Sequence, residues 1–495
     1  MATYYKSDES FVQKLALGAA GVKATIEALK AMGFRPMELE RGSTGFKIWK
    51  RIKIKRVRVP DILCLDTGLR FESRAKTTPE ISMSHSLKDP RRAWYAGLRD
   101  DDFVAITVFA PEEEAPLAPR RVSPVQFVGV GELRKAFDAK KVKLTQPKGV
   151  EEGSEVRVIW PSSSARQRSV VEEVSAERMK LRSLEGAGSY RVMMTRKRSD
   201  VVLRPQVQVG EIVEPSQFVA SVVPVATRLT RPSEIGAQHF VERLESINLS
   251  ERYAAAKALR FRGSASAKPA LMKRVGDPDE DLYVQLEAAA ALAVLEDAAG
   301  WDFLEQKLSS PALSVPLETQ LETIIVASEI AHPRSEHMLM AVLSDSSRHE
   351  ELRAGAAWAL GEFASATAAG ALTQAFDSSS IEVRQEAARA LLRIAEPQVA
   401  LLVAGLGQGA PAHRDGLAWV LARTGGFDPG EAAKGADDSV RRWLSYVVGV
   451  GKAKFAADAV QSLSKADPEV YFAATVLWQV LESWIAGLKG PGNEF

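Results

Sequence analysis

Apolar and polar positions follow different periods in the two halves of the chain. Residues 8–32 carry apolar side chains at helical spacing and stop at Gly33, which predicts an amphipathic helix. Period-two runs then predict strands at GFKIWKRIKIKRVRVP, VPDILCL, LRFESRAK, DFVAITVFA and VQFVGV, with helices at DPRRAWYAGLRDDD and GELRKAFDAKK. The order helix, three strands, helix, strand, strand, helix predicts an α/β domain over residues 1–146.

Strand patterns continue through residues 147–232, where turn signals such as PSSS and GAG separate short runs. These spacings predict a small all-β, barrel-like domain, which we interpret as an adaptor. The stretch PQVQVGEIVEPSQFVAS resembles the barrel-sandwich hybrid of biotinyl-carrier-like domains. No Met-Lys modification signature is present, so this resemblance implies a fold and no carrier function. A basic cluster at 196–198 with Trp160 is a candidate nucleic-acid face, and a solvated loop beside a core tryptophan is the alternative.

Repeated segments fill residues 236–495, among them VQLEAAAALAVLE, EELRAGAAWALGEF and IEVRQEAARALLRI. Their Ala-Leu markers lie near 259, 292, 360, 391 and 421, and the widest gap has room for a divergent copy around LETIIVAS. A cycle of about 30 to 34 residues with paired helices predicts an α-solenoid. The pattern from Ile381 to Leu391 resembles short HEAT-type repeats, which implies a platform that binds a partner protein. The stretch around Trp478 and Trp484 is less repeat-like and is the predicted cap.

The candidate chemistry lies in residues 59–76, VPDILCLDTGLRFESRAK. Its DTG triplet favours a tight hairpin turn. A loop of two or four residues would place Asp61 opposite Arg74 and diagonal to Glu72. Period-two alternation adds Lys76 to the same face. Two carboxylates at this separation can hold a hard divalent cation, and a neighbouring cation can orient a phosphate or an activated water.

These acids, and the order of elements around them, resemble the PD-(D/E)xK restriction-endonuclease-like superfamily over about residues 1–142. The dipeptide PD at 60–61 and the tripeptide ESR at 72–74 carry the resemblance. It implies a restriction-endonuclease-like nuclease domain that uses Mg²⁺ (or Mn²⁺). Carried over to this sequence, Asp61 and Glu72 are the metal ligands.

The third position departs from the family pattern, because Arg74 stands where the family has a lysine. Arginine can orient a phosphate but does not give up its proton at working pH. Lys76 is the candidate for the missing amine if the strand stays extended through Ala75. Glu27 on the first helix is a candidate additional ligand, and a surface role is the alternative.

Charge is distributed unevenly although the formal net charge is only +2. Residues 1–150 hold 28 Lys and Arg against 18 Asp and Glu, a net of +10, and residues 151–235 have a net of +2. Residues 236–495 have a net of −10. We therefore expect DNA to contact the basic N-terminal part and a protein to contact the acidic array. In the array, Arg353, Arg384, Arg389 and Arg393 either line a ridge or pair between repeats.

Cationic positions near the hairpin are the expected DNA contacts. A solvated strand face is the alternative for the lysine-rich ribbon, and a helix cap is the alternative for the histidine. These candidate nucleic-acid-binding residues are Lys50, Lys53, Lys55, Arg56, His85, Arg91 and Arg92.

Several functional classes are not indicated. The sequence has no P-loop, HExxH helix or CxxC pattern, which argues against NTPase and zinc-enzyme functions. No apolar run is long enough for a membrane span, no signal peptide is expected, and the single Cys64 excludes an intrachain disulfide framework. The expected location is the cytoplasm. Two hypotheses remain: a metal-dependent DNA endonuclease or nuclease subunit in bacterial defence or repair, and a catalytically inactive DNA-binding adaptor or scaffold.

Overall fold

The computed structural model describes residues 8–39, 57–112, 118–146, 155–186, 188–195, 201–309, 315–408 and 410–451, with 461, 465 and 484. The chain forms two compact units. The first comprises Met1–Lys47 with Lys55–Ala270, and the second comprises Ile48–Ile54 with Leu271–Phe495. Each unit is described by itself below.

The first unit is a mixed, sheet-rich region. In chain order its elements are α1 (Asp8–Ala31), β1 (Pro36–Glu38), β2 (Ile62–Cys64), β3 (Arg70–Lys76), β4 (Ile81–Ser86), β5 (Phe103–Ala110), β6 (Arg120–Arg121), β7 (Gln126–Gly129), α2 (Val130–Asp138), β8 (Lys143–Thr145), β9 (Glu155–Trp160), β10 (Ser162–Ser164), β11 (Ser169–Val174), β12 (Arg178–Ser183), β13 (Ser189–Met193), β14 (Arg204–Pro205), β15 (Ile212–Val213), β16 (Phe218–Ser221), α3 (Ala237–Arg243) and α4 (Leu249–Phe261).

The largest sheet has the strand order β1-β2-β3-β5, with β6 and β7 both pairing with β5. The first three strands are antiparallel neighbours, whereas β3 and β5 run parallel. A parallel neighbour requires the chain to cross over, and here the crossover contains β4 and a short 3₁₀ turn. The sheet therefore flanks the start of β3 with β2 and pairs the strand from Phe71 to Lys76 with β5.

Helix α1 covers one face of this sheet because a glycine lets it come close. A Cβ atom at Gly21 would lie 2.9 Å from the Cβ of Ala75, which is closer than real contacts allow. One turn further on, the Thr25 hydroxyl lies 3.3 Å from the Ser73 hydroxyl. Phe71 is fully buried beneath the helix and stacks on Phe103. This apolar layer fixes which face of β3 points away from the helix.

A second sheet, ordered β4-β9-β8, joins segments on both sides of the predicted boundary at residue 146. The indoles of Trp94 and Trp160 meet edge to face at 5.0 Å in the core beside it. The Nε1 of Trp160 donates to the Leu133 carbonyl. Trp160 is therefore a core residue, which agrees with the alternative to a nucleic-acid face that the sequence left open. The predicted three-domain division stays a prediction, and the basic cluster at 196–198 lies outside the described residues.

Two expected elements differ in the structure. The segment containing Ile81–Ser86 had no predicted strand, yet it forms β4 along its whole length with β9. The predicted helix after Asp89 is only a 3₁₀ turn, Pro90–Arg92, capped by the Asp89 side chain. Pro90 favours the first turn of a helix. The helix does not continue, because Trp94 is buried and a turn follows it.

Two small antiparallel sheets, β10-β16-β14 and β13-β12-β11-β15, follow in the first unit. Most of these strands lie in the runs predicted as strands, but β10 (Ser162–Ser164) forms within the PSSS stretch that was expected to be a turn. Their inner faces share one core, which includes Val171, Leu181, Val192 and Val219. Closure of these sheets into a barrel stays a prediction.

The second unit is a helical repeat array, as the sequence pattern predicted. The boundary between the units falls inside α5. The helices are α5 (Lys268–Gly276), α6 (Leu282–Val294), α7 (Ala298–Ser309), α8 (Leu317–Ile330), α9 (Pro333–Ser344), α10 (Glu350–Leu360), α11 (Ala366–Gln374), α12 (Ile381–Ile394), α13 (Val399–Gly405), α14 (Pro411–Leu421), α15 (Pro429–Lys434) and α16 (Asp438–Gly451). The divergent copy expected around LETIIVAS is α8.

Small side chains allow the array's helices to pack closely. In α6 the run Ala288–Ala291 is fully buried. Three of the four arginines considered for a ridge bind inside the array: Arg353 donates to the Leu343 carbonyl, Arg389 pairs with Glu386, and Arg393 donates to the Trp358 carbonyl. Arg353 and Arg393 therefore bond between neighbouring helices of the array, whereas the Arg389–Glu386 pair lies within α12.

A buried ion pair joins the end of the β2–β3 hairpin to the segment before β5. Arg70 donates to both carboxylate oxygens of Asp102, at 2.9 and 2.6 Å, and also to the Ser250 hydroxyl at 2.8 Å. The Asp102 carboxylate accepts further bonds from Arg99, whose guanidinium lies 3.4 Å from Glu251. Since Ser250 and Glu251 begin α4, this first repeat-like helix belongs to the sheet unit.

Asp102→Asn should destabilise the first unit by about 3–5 kcal/mol, because the buried Arg70 charge loses its partner. Urea denaturation followed by hydrogen exchange of the β3 and β5 peptides measures this. Glu112→Gln is the control, since Glu112 pairs with Arg120 at an exposed site and should cost at most about 1 kcal/mol. Equal effects of the two variants would contradict the importance of the buried pair.

Two helical glycines should respond oppositely to alanine. A Cβ at Gly300 would lie 2.5 Å from the Ala293 amide nitrogen, so Gly300→Ala must push α7 away from α6 and destabilise the array by about 1–3 kcal/mol. Gly370 in α11 has no atom within 4 Å of its Cβ position, so Gly370→Ala should stabilise by about 0.5–1 kcal/mol. Thermal unfolding compares them, and a stabilising Gly300→Ala would refute the close packing.

Candidate functional site

Strand β3 carries the candidate residues on the face opposite α1. Phe71, Ser73 and Ala75 point towards the helix. By alternation Glu72, Arg74 and Lys76 point away from it. All three have partly buried side chains. The sequence prediction that they share one face is therefore met.

The hairpin register differs from the predicted one by two residues. Ile62 pairs with Phe71 and Leu63 with Arg70. Continuing this register by one residue places Asp61 opposite Glu72 rather than opposite Arg74. The predicted Asp61–Arg74 pairing is thus wrong, although a shift of two keeps the same side of the sheet.

The position of the turn explains the shift. Four residues, 65–68, form the loop, and both the Gly68 amide and the Cys64 amide make 2.8 Å bonds that close it. Asp66 is buried in this loop and accepts from the Arg35 amide at 3.1 Å and from Arg231 Nε at 2.9 Å. Gly68 adopts a φ of 71°, which glycine tolerates best. Anchoring Asp66 moves the turn towards the N-terminus.

Asp61 is held against β3 by a main-chain hydrogen bond. Its Oδ2 accepts from the Ser73 amide at 2.7 Å. Its own carbonyl accepts from the Leu39 amide at 2.8 Å. The carboxylate therefore lies beside the strand position that follows Glu72.

Glu72 and Arg74 form an ion pair of 2.6 Å on the same strand. Glu72 is the more buried partner, with 14% of its side chain exposed against 34% for Arg74. Arg74 thus neutralises the neighbouring acid directly. Any cation bound by Glu72 would compete with this guanidinium.

Lys76 ends the row in an unusual electrostatic setting. Its Nζ donates to the Ser82 carbonyl at 2.7 Å and to the Ser82 hydroxyl at 3.0 Å. Burial, helped by the nearby charges of Arg74 and Arg157 and opposed by Glu80, lowers the pKa of Lys76 to about 8. A neutral amine is therefore accessible at mildly alkaline pH.

The predicted DNA contacts have mixed positions. His85 lies in β4, where its Nδ1 accepts from the Trp94 amide at 3.3 Å and burial lowers its pKa. Arg91 is exposed and paired with Asp89, and Arg92 is paired with Glu155. DNA contact by these three stays a prediction. The remaining candidates, Lys50, Lys53, Lys55 and Arg56, lie outside the described residues.

This face offers two carboxylates to a metal ion, and each already has a partner: Asp61 accepts from the Ser73 amide, and Glu72 pairs with Arg74. Among the residues that the structure describes, no group of three or more His, Cys, Asp or Glu side chains could hold a metal ion. Mg²⁺ commonly keeps several waters and binds through one or two carboxylates. Asp61 and Glu72 meet that minimum as a donor set, and the role of Glu27 stays a prediction.

Comparison with known proteins identifies only the repeat array. Residues 302–391 match the HEAT repeats family. No curated protein matches the chain. The match confirms HEAT-like repeats in the C-terminal region.

Similar solved structures cover about half of the chain. The complex of CpcE and CpcF of phycocyanin lyase from Nostoc sp. PCC7120 is 18% identical, with 49% of this chain and 97% of that chain covered and a TM-score of 0.26. Human deoxyhypusine hydroxylase in complex with glycerol is 20% identical, with 48% and 84% covered and a TM-score of 0.18. An engineered protein is 22% identical, with 48% and 97% covered and a TM-score of 0.20.

Two other expectations concern Cys64 and the membrane. Cys64 is a free, buried cysteine, and burial raises the pKa of its thiol, so it has no thiolate reactivity near neutral pH. Within the described ranges, no helix has the length and hydropathy needed to cross a bilayer.

The lowered pKa of Lys76 predicts a pH-dependent stability. Between about pH 8 and the ordinary pKa of 10.5, the unfolded chain binds a proton that folded Lys76 does not. The stability of the wild type relative to Lys76→Met should therefore rise with pH across this window. Urea denaturation of both proteins at several pH values measures the difference.

Lys135→Met is the matched control for this titration. Lys135 is exposed and its bond to Glu132 raises its pKa, so this variant should give no rise between pH 8 and 10.5. If the difference in stability between the wild type and Lys76→Met does not change with pH, Lys76 titrates with its ordinary pKa.

Proposed function

We propose that the chain is a divalent-metal-dependent DNA endonuclease, or the nuclease subunit of a bacterial defence or repair complex, with a restriction-endonuclease-like first domain. The observation that carries this proposal is the outer face of β3. It presents Glu72, Arg74 and Lys76 in a row, and the register brings Asp61 opposite Glu72. The parallel β3–β5 pair and the covering helix α1 support the same fold.

Each residue of this face has a distinct proposed role. Asp61 and Glu72 would hold Mg²⁺ (or Mn²⁺), which when bound would polarise the phosphate. Arg74 would orient a phosphate oxygen and leave the Glu72 carboxylate to the cation. Lys76 would accept a proton from the attacking water, because its pKa of about 8 leaves part of the population neutral at physiological pH.

The HEAT-like array would supply the protein contact. Repeat arrays of this kind expose long surfaces that bind partners. We propose that this array recruits the nuclease domain to a partner protein in the cytoplasm. The net charge of −10 over residues 236–495 makes protein a better partner for it than DNA.

A catalytically inactive DNA-binding adaptor is the second candidate. The 2.6 Å pair between Glu72 and Arg74 favours it, because the metal ligand is already neutralised. The two bonds from Lys76 to Ser82 favour it as well, since they hold the amine at the end of the row.

Cleavage of plasmid and single-stranded DNA with Mg²⁺ or Mn²⁺ tests the proposal. We expect Asp61→Ala and Glu72→Ala each to lower the rate by at least about 100-fold, since loss of a ligand should exceed the 10–100-fold effect typical of changing a residue that only orients a metal ligand. Cleavage should also rise with pH towards about 8 and lose this dependence in Lys76→Met.

Glu112→Ala removes an exposed carboxylate far along the chain from the site and should leave cleavage unchanged. Equal cleavage by wild type and both site variants would refute the catalytic roles. DNA binding without metal and without cleavage, also in the presence of partner proteins, would establish the adaptor instead.

A further inference from the structure

The C-terminal unit contains an aromatic contact that joins residues far apart in the sequence. Trp484 lies against α12 and the 3₁₀ turn Ala375–Asp377 that precedes it. Its ring centroid is 5.7 Å from that of Phe376, and the Arg384 guanidinium lies 5.3 Å above the indole. Gln385 Nε2 donates to the Trp484 carbonyl at 2.8 Å. One indole and one main-chain carbonyl are thus recognised together.

The receiving surface is built around Phe376, which is fully buried. A Cβ at Gly416 on α14 would lie 2.7 Å from the Phe376 ring, so the ring needs a glycine opposite it. His413, one turn earlier on α14, meets the same ring edge to face at 6.0 Å. The pocket therefore draws side chains from two successive repeats.

Among the residues that the structure describes, three buried polar atoms around this contact have no hydrogen-bond partner. They are Arg384 Nε, Trp484 Nε1 and His413 Nδ1. The Asp377 carboxylate is 3.6 Å from His413 Nδ1, which is too long for a hydrogen bond. Burying a polar group without a hydrogen bond is unfavourable, and Trp484 leaves these three atoms unsatisfied. A ligand that brings hydrogen-bonding groups beside an aromatic ring would fit better.

We propose that Phe376, Arg384, Gln385 and His413 form the array's docking site for a tryptophan-bearing segment of a partner protein, and that Trp484 occupies this site within the chain until the partner replaces it. This deepens the partner-binding part of the proposed function and rests on it only for the partner's biological role.

The chemistry defines the partner segment. The indole supplies apolar area and a cation–π contact with Arg384. The carbonyl bond to Gln385 requires an accessible main chain but no particular side chain. A carboxylate or amide next to the tryptophan would satisfy Arg384 Nε, which Trp484 leaves unpaired.

A peptide with the chain's own sequence LESWIAGLK, residues 481–489, is the probe. Fluorescence anisotropy of the labelled peptide should show saturable binding to full-length Trp484→Ala. Binding to the wild type should be at least about tenfold weaker, because the internal tryptophan competes at a high effective concentration. The same peptide with alanine in place of tryptophan should not bind.

Second-site variants keep the test independent of folding and of nuclease activity. Arg384→Ala and Gln385→Ala should each weaken peptide binding when combined with Trp484→Ala, whereas Arg353→Ala, at another repeat, should not. Hydrogen exchange of α12 should rise in Trp484→Ala and fall again when the peptide is added.

Three results would overturn the proposal. One is equal affinity of the peptide for wild type and Trp484→Ala, and another is binding that does not depend on the peptide's tryptophan. The third is a wild-type dimer that Trp484→Ala abolishes, because the occupant would then come from a second copy. DNA cleavage enters none of these measurements, so a failed nuclease assay leaves them interpretable.

Discussion

Arg70, at the start of β3, has only 1% of its surface exposed, so its charge must be matched inside the protein. Asp102 provides both carboxylate oxygens, and Ser250 at the beginning of α4 accepts a third bond. Breaking this set would leave a buried charge uncompensated, which costs far more than an exposed pair. It therefore holds a hairpin, a loop and a helix in one arrangement.

The outer face of β3 depends on that arrangement. Arg70 points to the same side as Glu72, Arg74 and Lys76, so fixing the start of the strand fixes the row that follows it. Helix α1 fixes the opposite side through Gly21 and Ser73. The candidate site is thus positioned by the packing of α1 against the opposite face of β3 and by the Arg70–Asp102 ion pair at the start of that strand. In this position, burial and then the neighbouring charge of Arg74 lower the pKa of Lys76.

The parts predicted from sequence are those with a strong local period. The repeat pattern predicted the helix pairs from α6 to α16, including the divergent copy at α8, because small and apolar residues recur with each pair of helices. Alternation placed Glu72 and Lys76 on one face. The hairpin register was wrong by two residues, because it depends on Asp66 being anchored by Arg231, which is 165 residues away. Strand β4 was missed because its partner β9 lies 69 to 79 residues further along the chain.

The first repeat-like helix has a dual character: its sequence matches the array, yet Ser250 and Glu251 complete the polar core of the sheet unit. A gene fusion or recombination joint placed at residue 236, where the repeat pattern begins, would take this helix away from Arg70 and Arg99. A joint after Ala270 would keep it. Exchange of repeat arrays, in evolution or in the laboratory, must therefore keep Ser250 and Glu251 with the sheet unit. The boundary of the repeat pattern in the sequence is not the place to join them.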